Sequence, residues 1–512
     1  MRTLTQVADV VAWLQALGAR RLLVDSRQVE AGDAFVAWPG AATDGRQYVE
    51  AAIKAGAVAC VVESDGVQAF DWGDAPVIAM PALKHLAGSL ASSFYGKPSQ
   101  DLCVVAITGT NGKTSSAWWC TQWLAEMHES VSMIGTLGAG SPARGLVPTG
   151  FTTPDPFNLQ SLLRQFVDQG QQICVMEASS IGIVEGRLND TQIDVAVFTN
   201  LSQDHLDYHK DMASYWAAKR ALFDWPTLQA AVVNIDDAHG MELAHRLLKE
   251  RPDLQLWTLS INPQMVSPSQ RHLKVVQRQW TPTGIFVSIQ EDGSEGMSLV
   301  SAALNVVGEY NLSNLLGVLA VLRWRGHSLQ AATQVCRSLS AVPGRMQPAW
   351  TEAPSSVPLV LVDYAHTPDA VTQALHALAP LAQHRGGQLW CVLGCGGDRD
   401  TTKRPLMAAA AERMANHVVL TSDNPRSEDP MVILQEMQSG LQRPEHVHVE
   451  LDRQQAIAWV IEHAQAQDVV LLAGKGHEEV QEIAGVKRPF SDAQHARQAM
   501  QRKALPVVGG AV

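Results

Sequence analysis

The chain has 512 residues, 46% of them hydrophobic and 18% charged, with a formal net charge of -12 at pH 7. One hydrophobic core does not extend over that length, so roughly two to four packed domains are expected. No long basic block interrupts the acidic balance, which weighs against nucleic acid as the main partner and leaves small anionic substrates open.

The opening stretch MRTLTQVADVVAWLQAL is amphipathic, carries Asp9 inside it, and lacks a signal-peptide apolar region. No run reaches the roughly 20 apolar residues that cross a bilayer, so membrane insertion is not expected. The seven cysteines form no C-x-x-C pair and lie mostly in strand-like or helical runs, as expected of buried free thiols in a cytoplasmic protein. Residues 1–98 mix short strands and helices, with turns at 29–33 and 39–40, and end at Tyr95-Gly96-Lys97-Pro98, which reads as a boundary.

From about 100 the pattern becomes strand then helix. Residues 102–107 form an uninterrupted apolar run, and Ala117, Cys120, Leu124 and Met127 recur on one helical face. Further strands are expected at 173–177, 194–200 and 231–236, and the polar stretch 274–295 reads as a surface loop or hairpin. A third unit begins near 341–345, with strands at 358–363, 388–393, 417–421 and 468–473, each running into polar or glycine-rich sequence. The class is α/β with mostly parallel sheets, whose ligands bind beyond the C-terminal strand ends.

Between the first of these strands and its helix lies Gly109-Thr110-Asn111-Gly112-Lys113-Thr114. It resembles a nucleotide P-loop, although Ile107 stands where the first glycine of G-x-x-x-x-G-K-[ST] belongs. Lys113 can reach between terminal phosphates, and the hydroxyl of Thr114 or Ser115 can reach magnesium, with backbone amides at a helix N-terminus cradling the anion. Magnesium prefers oxygen ligands, and Glu177, which ends an apolar strand, is a carboxylate candidate, the alternative being an acidic cap on the next helix. Asp204, His205, Asp207 and His209 cluster past another strand end, either as a hard-ion site or as an ordinary capped helix; zinc is disfavoured because no thiolate joins them.

These motifs, from Asp25-Ser26-Arg27 to Gly474-Lys475-Gly476-His477-Glu478, resemble in order and placement the Mur ligase family of ATP-dependent amide-bond-forming enzymes in peptidoglycan assembly. The resemblance implies three domains: a UDP-substrate-binding domain at 1–98, a central ATPase domain with a P-loop sheet at 99–340, and a C-terminal Rossmann-like, amino-acid-binding domain at 341–512. It assigns Ser26, Thr152, Thr153, Ser179 and Arg187 to the UDP-muramoyl substrate, together with Glu185, where the family carries glutamine. Ile181 replaces a histidine that often follows the paired serines. The resemblance makes Glu177, His205 and Lys219 metal ligands beside Thr114, with Lys219 carbamylated, and counts Lys113, Glu177, His205 and Lys219 as catalytic. Asn314, Arg345 and Asp363 join the Gly109–Ser115 loop in holding ATP, and His366 belongs to the same signature.

The motif Asp423-Asn424-Pro425-Arg426 accompanies meso-diaminopimelate in the family. An independent reason favours the same substrate: its second carboxylate suits a bidentate guanidinium, for which a lysine substrate offers no partner. Arg426 is thus the main specificity candidate, and Arg399, Gly474 and Glu478 complete the pocket by resemblance. The implied reaction uses ATP and Mg2+ to activate the UDP-muramoyl dipeptide as an acyl phosphate, which diaminopimelate then attacks, in a monomer with no nucleic-acid partner. A lysine-adding relative, a folylpolyglutamate-synthetase-like enzyme and a nucleotide-binding scaffold without ligase chemistry are the competing readings.

Overall fold

The computed structural model describes residues 2–505 except 41–42, 282–283, 294–295, 305, 307 and 337–338, with backbone alone at 207, 280, 281 and 284. Three sheets dominated by parallel strands follow one another along the chain. The first has five short strands, Arg2–Thr3, Leu22–Leu23, Ala34–Ala37, Ala59–Glu63 and Val77–Met80, all paired parallel.

The central sheet has eleven strands, and its middle runs in the spatial order Ala230–Asn234, Val195–Phe198, Cys103–Thr108, Ile173–Glu177, Val131–Gly135. These strands are apolar throughout because both faces are covered: Val105 and Ile107 enter one core, Val104 and Ala106 the other. Register sets the site. Glu177 pairs with Ile107 and Phe198 with Thr108, so the glycine loop, the 178–180 segment and the 199–205 segment leave the sheet at one edge. The third sheet has six strands, with Asp363 and Leu393 both in register with Ala473, and it delivers the chain after 363, 393, 420 and 473 to its own edge.

The expected strands are present, with ends shifted by one or two residues. The largest shortening is at 194–200, where only Val195–Phe198 is strand. Asp194 turns its carboxylate to the Val104 amide (2.8 Å), and Asn200 Oδ1 accepts from the Asn111 amide (3.0 Å), so both ends serve loops. The 274–295 stretch is a hairpin, Arg271–Thr281 with Gly284–Gly293, but it is no mere surface appendage. It extends the central sheet, burying Leu273, Val275, Ile285, Val287 and Ile289 against the core; its far end at Ser294 and Glu295 lies outside the described residues. The helix Lys113–Glu126 is likewise buried nearly all round, where the sequence pattern indicated one face. All seven cysteines are unpaired, and no helix among the described residues is long and apolar enough to cross a membrane.

Candidate active site

At the central sheet edge Gly112 opens the helix Lys113–Glu126 with φ +87°, and a Cβ there would strike the Asn314 amide group. Glycine is therefore required on steric and conformational grounds together. The first helical amides, at Lys113, Thr114 and Ser115, lie where a helix has no internal acceptors. Lys113 folds back over the loop, its Nζ donating to the carbonyls of Gly109 (2.9 Å) and Thr110 (2.8 Å). Desolvation holds its pKa below the usual lysine value.

Glu177 is fully buried beside this loop. Its Oε2 accepts from Thr114 Oγ1 (3.0 Å) and Thr136 Oγ1 (3.2 Å), and its Oε1 from the Thr136 amide (2.8 Å). Thr136 also touches Thr152 through its hydroxyl (3.0 Å). Thr153 Oγ1 donates to the Glu177 carbonyl (2.8 Å) and accepts from the Ser179 amide (3.0 Å), while Arg187 donates to the Thr153 carbonyl (2.8 Å). Ser179 itself caps the short helix Ser180–Val184 through Gly182. The threonines, serine and arginine that the resemblance gives to the muramoyl substrate thus surround the carboxylate given to the metal.

Lys219 reaches the same loop from the helix Met212–Arg220, its Nζ donating to Gly109 O (2.7 Å) and lying 4.2 Å from the Tyr215 ring centroid. Burial, reinforced by nearby Lys113, places its pKa well below the ordinary lysine value. His205 adopts a left-handed backbone (φ +54°) and leans toward Asp204, Nε2 to Oδ2 3.5 Å. Burial pushes the Asp204 carboxyl up, yet His366, His205 and Lys403 together hold it below the usual value. The donor set at Thr114 and Glu177 is all oxygen and suits magnesium. An unmodified Lys219, by contrast, is a donor and no ligand, and among the described residues no three of His, Cys, Asp and Glu converge as a metal-holding group.

The third sheet meets this edge through Arg345, whose Nη2 donates to Thr114 Oγ1 (3.2 Å) while its guanidinium lies 4.3 Å from the Tyr364 ring centroid. The half-buried Asp363 accepts from the Met346 amide (2.7 Å), and desolvation raises its pKa. His366 Nδ1 donates to Tyr364 O (2.8 Å), and burial lowers its pKa to about 4. Ser340, just before this linker, is pinned to the phosphate-loop helix by Trp118, Trp119 and Gln122.

Beyond that junction, Asp423 and Asn424 are buried and Arg426 is half-buried in a left-handed conformation (φ +54°). Arg426 Nη1 donates to Gly397 O (2.6 Å), and Ser427 bonds Asp398 through both its amide and its hydroxyl. The turn carrying Pro425 is thereby tied to the loop carrying Arg399, which is exposed. Gly474 packs so closely on Asp423 that a Cβ would meet Oδ2, and Glu478 accepts from Asn424 Nδ2 (2.7 Å). Arg187, Arg345, Arg399 and Arg426 have no carboxylate partner among the described residues.

Two assigned residues stand apart from these groups. Ser26 lies in the first unit at the head of the turn Ser26–Gln28, which Asp25 caps. Glu185 is engaged by Lys84 of the first unit (2.8 Å) and by the Tyr208 hydroxyl (2.6 Å). Sequence reasoning missed Thr136, Tyr215, whose hydroxyl donates to Thr110 Oγ1 (3.2 Å), and the hairpin Val480–Ile483 with Val486–Pro489 that backs the Asn424 turn. None of them carries a motif; each is placed by tertiary contact.

Three family descriptions match in chain order: "Mur ligase family, catalytic domain" over 20–95, "Mur ligase middle domain" over 107–322, and "Mur ligase, glutamate ligase domain" over 344–476. A UDP-N-acetylmuramoyl-L-alanyl-D-glutamate–2,6-diaminopimelate ligase of Acidovorax sp. (strain JS42) is 48% identical over 98% of this chain and 99% of its own. The ligase of the same name from Janthinobacterium sp. (strain Marseille) is 42% identical over 98% of each chain. A solved structure of a ligase of that name aligns with TM-score 0.63 at 35% identity, covering 95% of this chain and 96% of that one. A MurF ligase from Thermotoga maritima, solved with ADP, shares the fold at 18% identity and TM-score 0.63, covering 95% of this chain and 98% of that one.

Proposed function

The chain belongs to the Mur ligase family, and from that premise we propose how its residues divide the work of an ATP-dependent ligase. The enzyme adds meso-2,6-diaminopimelate to UDP-N-acetylmuramoyl-L-alanyl-D-glutamate, forming ADP and phosphate, in the synthesis of peptidoglycan precursor. Whole-length identity to ligases of that activity carries this reading.

Activation comes first because a carboxylate is a poor electrophile. The terminal carboxylate oxygen of D-glutamate bonds to the γ-phosphorus of ATP as the bond to the ADP oxygen breaks, giving an acyl phosphate. The diaminopimelate amine then bonds to that carbonyl carbon, phosphate leaves, and the amine gives up a proton. Lys113 and the helix amides stabilise charge on the transferred phosphoryl group. Gly109, Thr110, Asn111, Gly112, Thr114 and Ser115 shape the nucleotide cradle, while Asn314, Arg345 and Asp363 hold the rest of ATP. Arg345 also closes the site, since it spans from the third unit to Thr114.

Magnesium, when bound, neutralises phosphate charge; Thr114 and Glu177 would hold it, with His205 and carbamylated Lys219 as the remaining ligands. The buried, low-pKa Lys219 amine supports the carbamate, because only a neutral amine adds to carbon dioxide. Ser26, Thr152, Thr153, Ser179, Glu185 and Arg187 take the UDP-muramoyl dipeptide. Arg399, Asp423, Asn424, Pro425, Arg426, Gly474 and Glu478 take diaminopimelate, its far carboxylate going to arginine and its far ammonium to carboxylate. The work divides among a UDP-binding domain (1–98), an ATPase domain (99–340) and an amino-acid-binding domain (341–512). We keep a monomer as the expected state, and the soluble substrates suit the cytoplasm.

Incubation with ATP, magnesium, the UDP-muramoyl dipeptide and either meso-diaminopimelate or lysine, followed by mass analysis, tests the reading. The diaminopimelate product is expected; a lysine product in preference, or ATP bound with no ADP formed, overturns it.

A further inference from the structure

Lys475 has no part in the assignments above, yet the pocket is built around it. Among the described residues only Lys219 and Lys475 are buried lysines, and Lys475 is fully buried. Its ammonium gives one hydrogen bond each to Asn424 Oδ1 (3.0 Å), Glu478 Oε2 (3.0 Å) and Val480 O (2.8 Å). Three donors meet three acceptors, so no proton of Lys475 is left for a ligand.

The consequences fall on its neighbours. Asn424 Oδ1 also accepts from the Glu482 amide (3.0 Å), so its amide is oriented with Nδ2 toward Glu478. Glu478 Oε2 is then occupied twice, by Asn424 Nδ2 and by Lys475 Nζ, and Oε1 accepts no hydrogen bond among the described residues. The same lysine joins the hairpin Val480–Ile483 with Val486–Pro489 to the turn. That hairpin in turn holds the Arg426 amide through Glu482 O (3.0 Å) and the Asp423 carbonyl through Gln481 (2.8 Å). One buried cation therefore fixes the acceptor for a substrate ammonium and supports the strand that holds the arginine turn.

We propose that Lys475 is a positioning residue that sets selectivity for an amino acid carrying both a carboxylate and an ammonium at its far end, acting through Asn424 and Glu478 without touching the substrate. The proposal rests on reading this pocket as the amino-acid site. A supporting residue of this kind changes affinity for what its neighbours bind and leaves chemistry elsewhere intact.

The test compares Lys475→Met, Glu478→Gln and the double variant with the unaltered full chain. Lys475→Met is expected to raise KM for diaminopimelate about 10- to 100-fold. Acyl-phosphate formation, read as isotope exchange between ADP and ATP with the UDP-muramoyl dipeptide and no amino acid, is expected to stay within about twofold. In the Glu478→Gln background the added lysine change should raise KM by clearly less than it does alone, because the route through Glu478 is already cut and only the contacts to Asn424 and the hairpin remain. The double variant also removes both members of the ion pair, so it keeps the comparison open should the single variant fold poorly. An unchanged KM for diaminopimelate, a full additive loss in the double variant, or an equal loss of exchange overturns the positioning role. Failure of exchange in the unaltered enzyme would instead count against the ligase reading itself.

Discussion

In the phosphate-loop region Lys113 and Lys219 give their ammonium protons to the carbonyls of Gly109 and Thr110, and among the described residues neither hydrogen-bonds a carboxylate. In the C-terminal pocket Lys475 faces the carboxylate of Glu478 and the amide of Asn424. Carbonyl dipoles compensate a buried cation only in part, and burial, reinforced by nearby Lys113, holds the Lys219 amine well below the ordinary lysine value. The pocket lysine is compensated in full and acts as scaffold. The arginines divide the same way. Arg404 and Arg453, both buried, are paired with Glu428, Glu436 and Asp492, whereas Arg345, Arg399 and Arg426 form no ion pair among the described residues. On the proposed reading, positive charge left without a carboxylate receives the anionic substrates, and positive charge already paired holds the domains in shape.

The largest effect follows from deleting the unpaired loop cation. Lys113→Met should cut ADP formation by about 10^3- to 10^5-fold while leaving the melting temperature nearly unchanged, because the ammonium bonds only to its own loop. A variant that melts early and keeps activity would erase the contrast between the two kinds of lysine. Arg453→Met should do the reverse. It strands the fully buried Asp492, whose carboxylate Arg453 grips at 2.6 and 2.7 Å, and should cost about 3 to 5 kcal/mol of stability in urea unfolding. Residual activity per folded molecule should be close to that of the unaltered enzyme.

Arg426→Lys sharpens the comparison within the pocket. Lysine keeps the charge but loses the planar fork, and the loss in kcat/KM for diaminopimelate should be on the order of 2 to 4 kcal/mol. KM for ATP should not move, since Arg426 hydrogen-bonds only within the third unit. Equal weakening of ATP and diaminopimelate would mean that the two regions are not separable.

Much of this was legible before any coordinates. Apolar runs bounded by glycine or acidic residues mark the parallel strands, because a strand covered on both faces has no polar side to confuse the pattern, as at 102–107 and 468–473. The phosphate loop is legible for the same reason: its chemistry is local, confined to six consecutive residues. Thr136 and Lys475 were not read as site residues. Their roles come from which strand lies beside which, and the Glu177 carboxylate finds Thr136 only because Val131–Gly135 is paired with Ile173–Glu177. The 274–295 stretch reads as a surface loop or hairpin because it is largely polar, while the apolar residues alternating within it are a half-buried strand's signature. Glu185 is the instructive case, because its sequence position indicates a substrate contact while its side chain already holds two protein partners.

That residue supplies the smallest effect and the finest test. Hydrogen bonds from Lys84 and then Tyr208 hold the Glu185 carboxyl below the ordinary glutamate value. A depressed folded-state pKa stabilises the fold above the unfolded pKa of about 4.3, and the contribution disappears as pH falls through the lower, folded value. The pair is partly open to solvent, with side-chain exposures of 53% for Lys84 and 31% for Glu185, so its worth is about 0.5 kcal/mol. Glu185→Gln should therefore lower stability slightly and evenly at pH 6 to 8 (about 0.5 kcal/mol), and the difference from the unaltered chain should vanish in acid. Because Glu185 is also assigned to the UDP-muramoyl dipeptide, KM for that substrate should rise in the same variant. A rise in that KM with no pH-dependent stability difference would leave the substrate role alone and make Lys84 an incidental neighbour, whereas a stability difference with an unchanged KM would remove Glu185 from the substrate site.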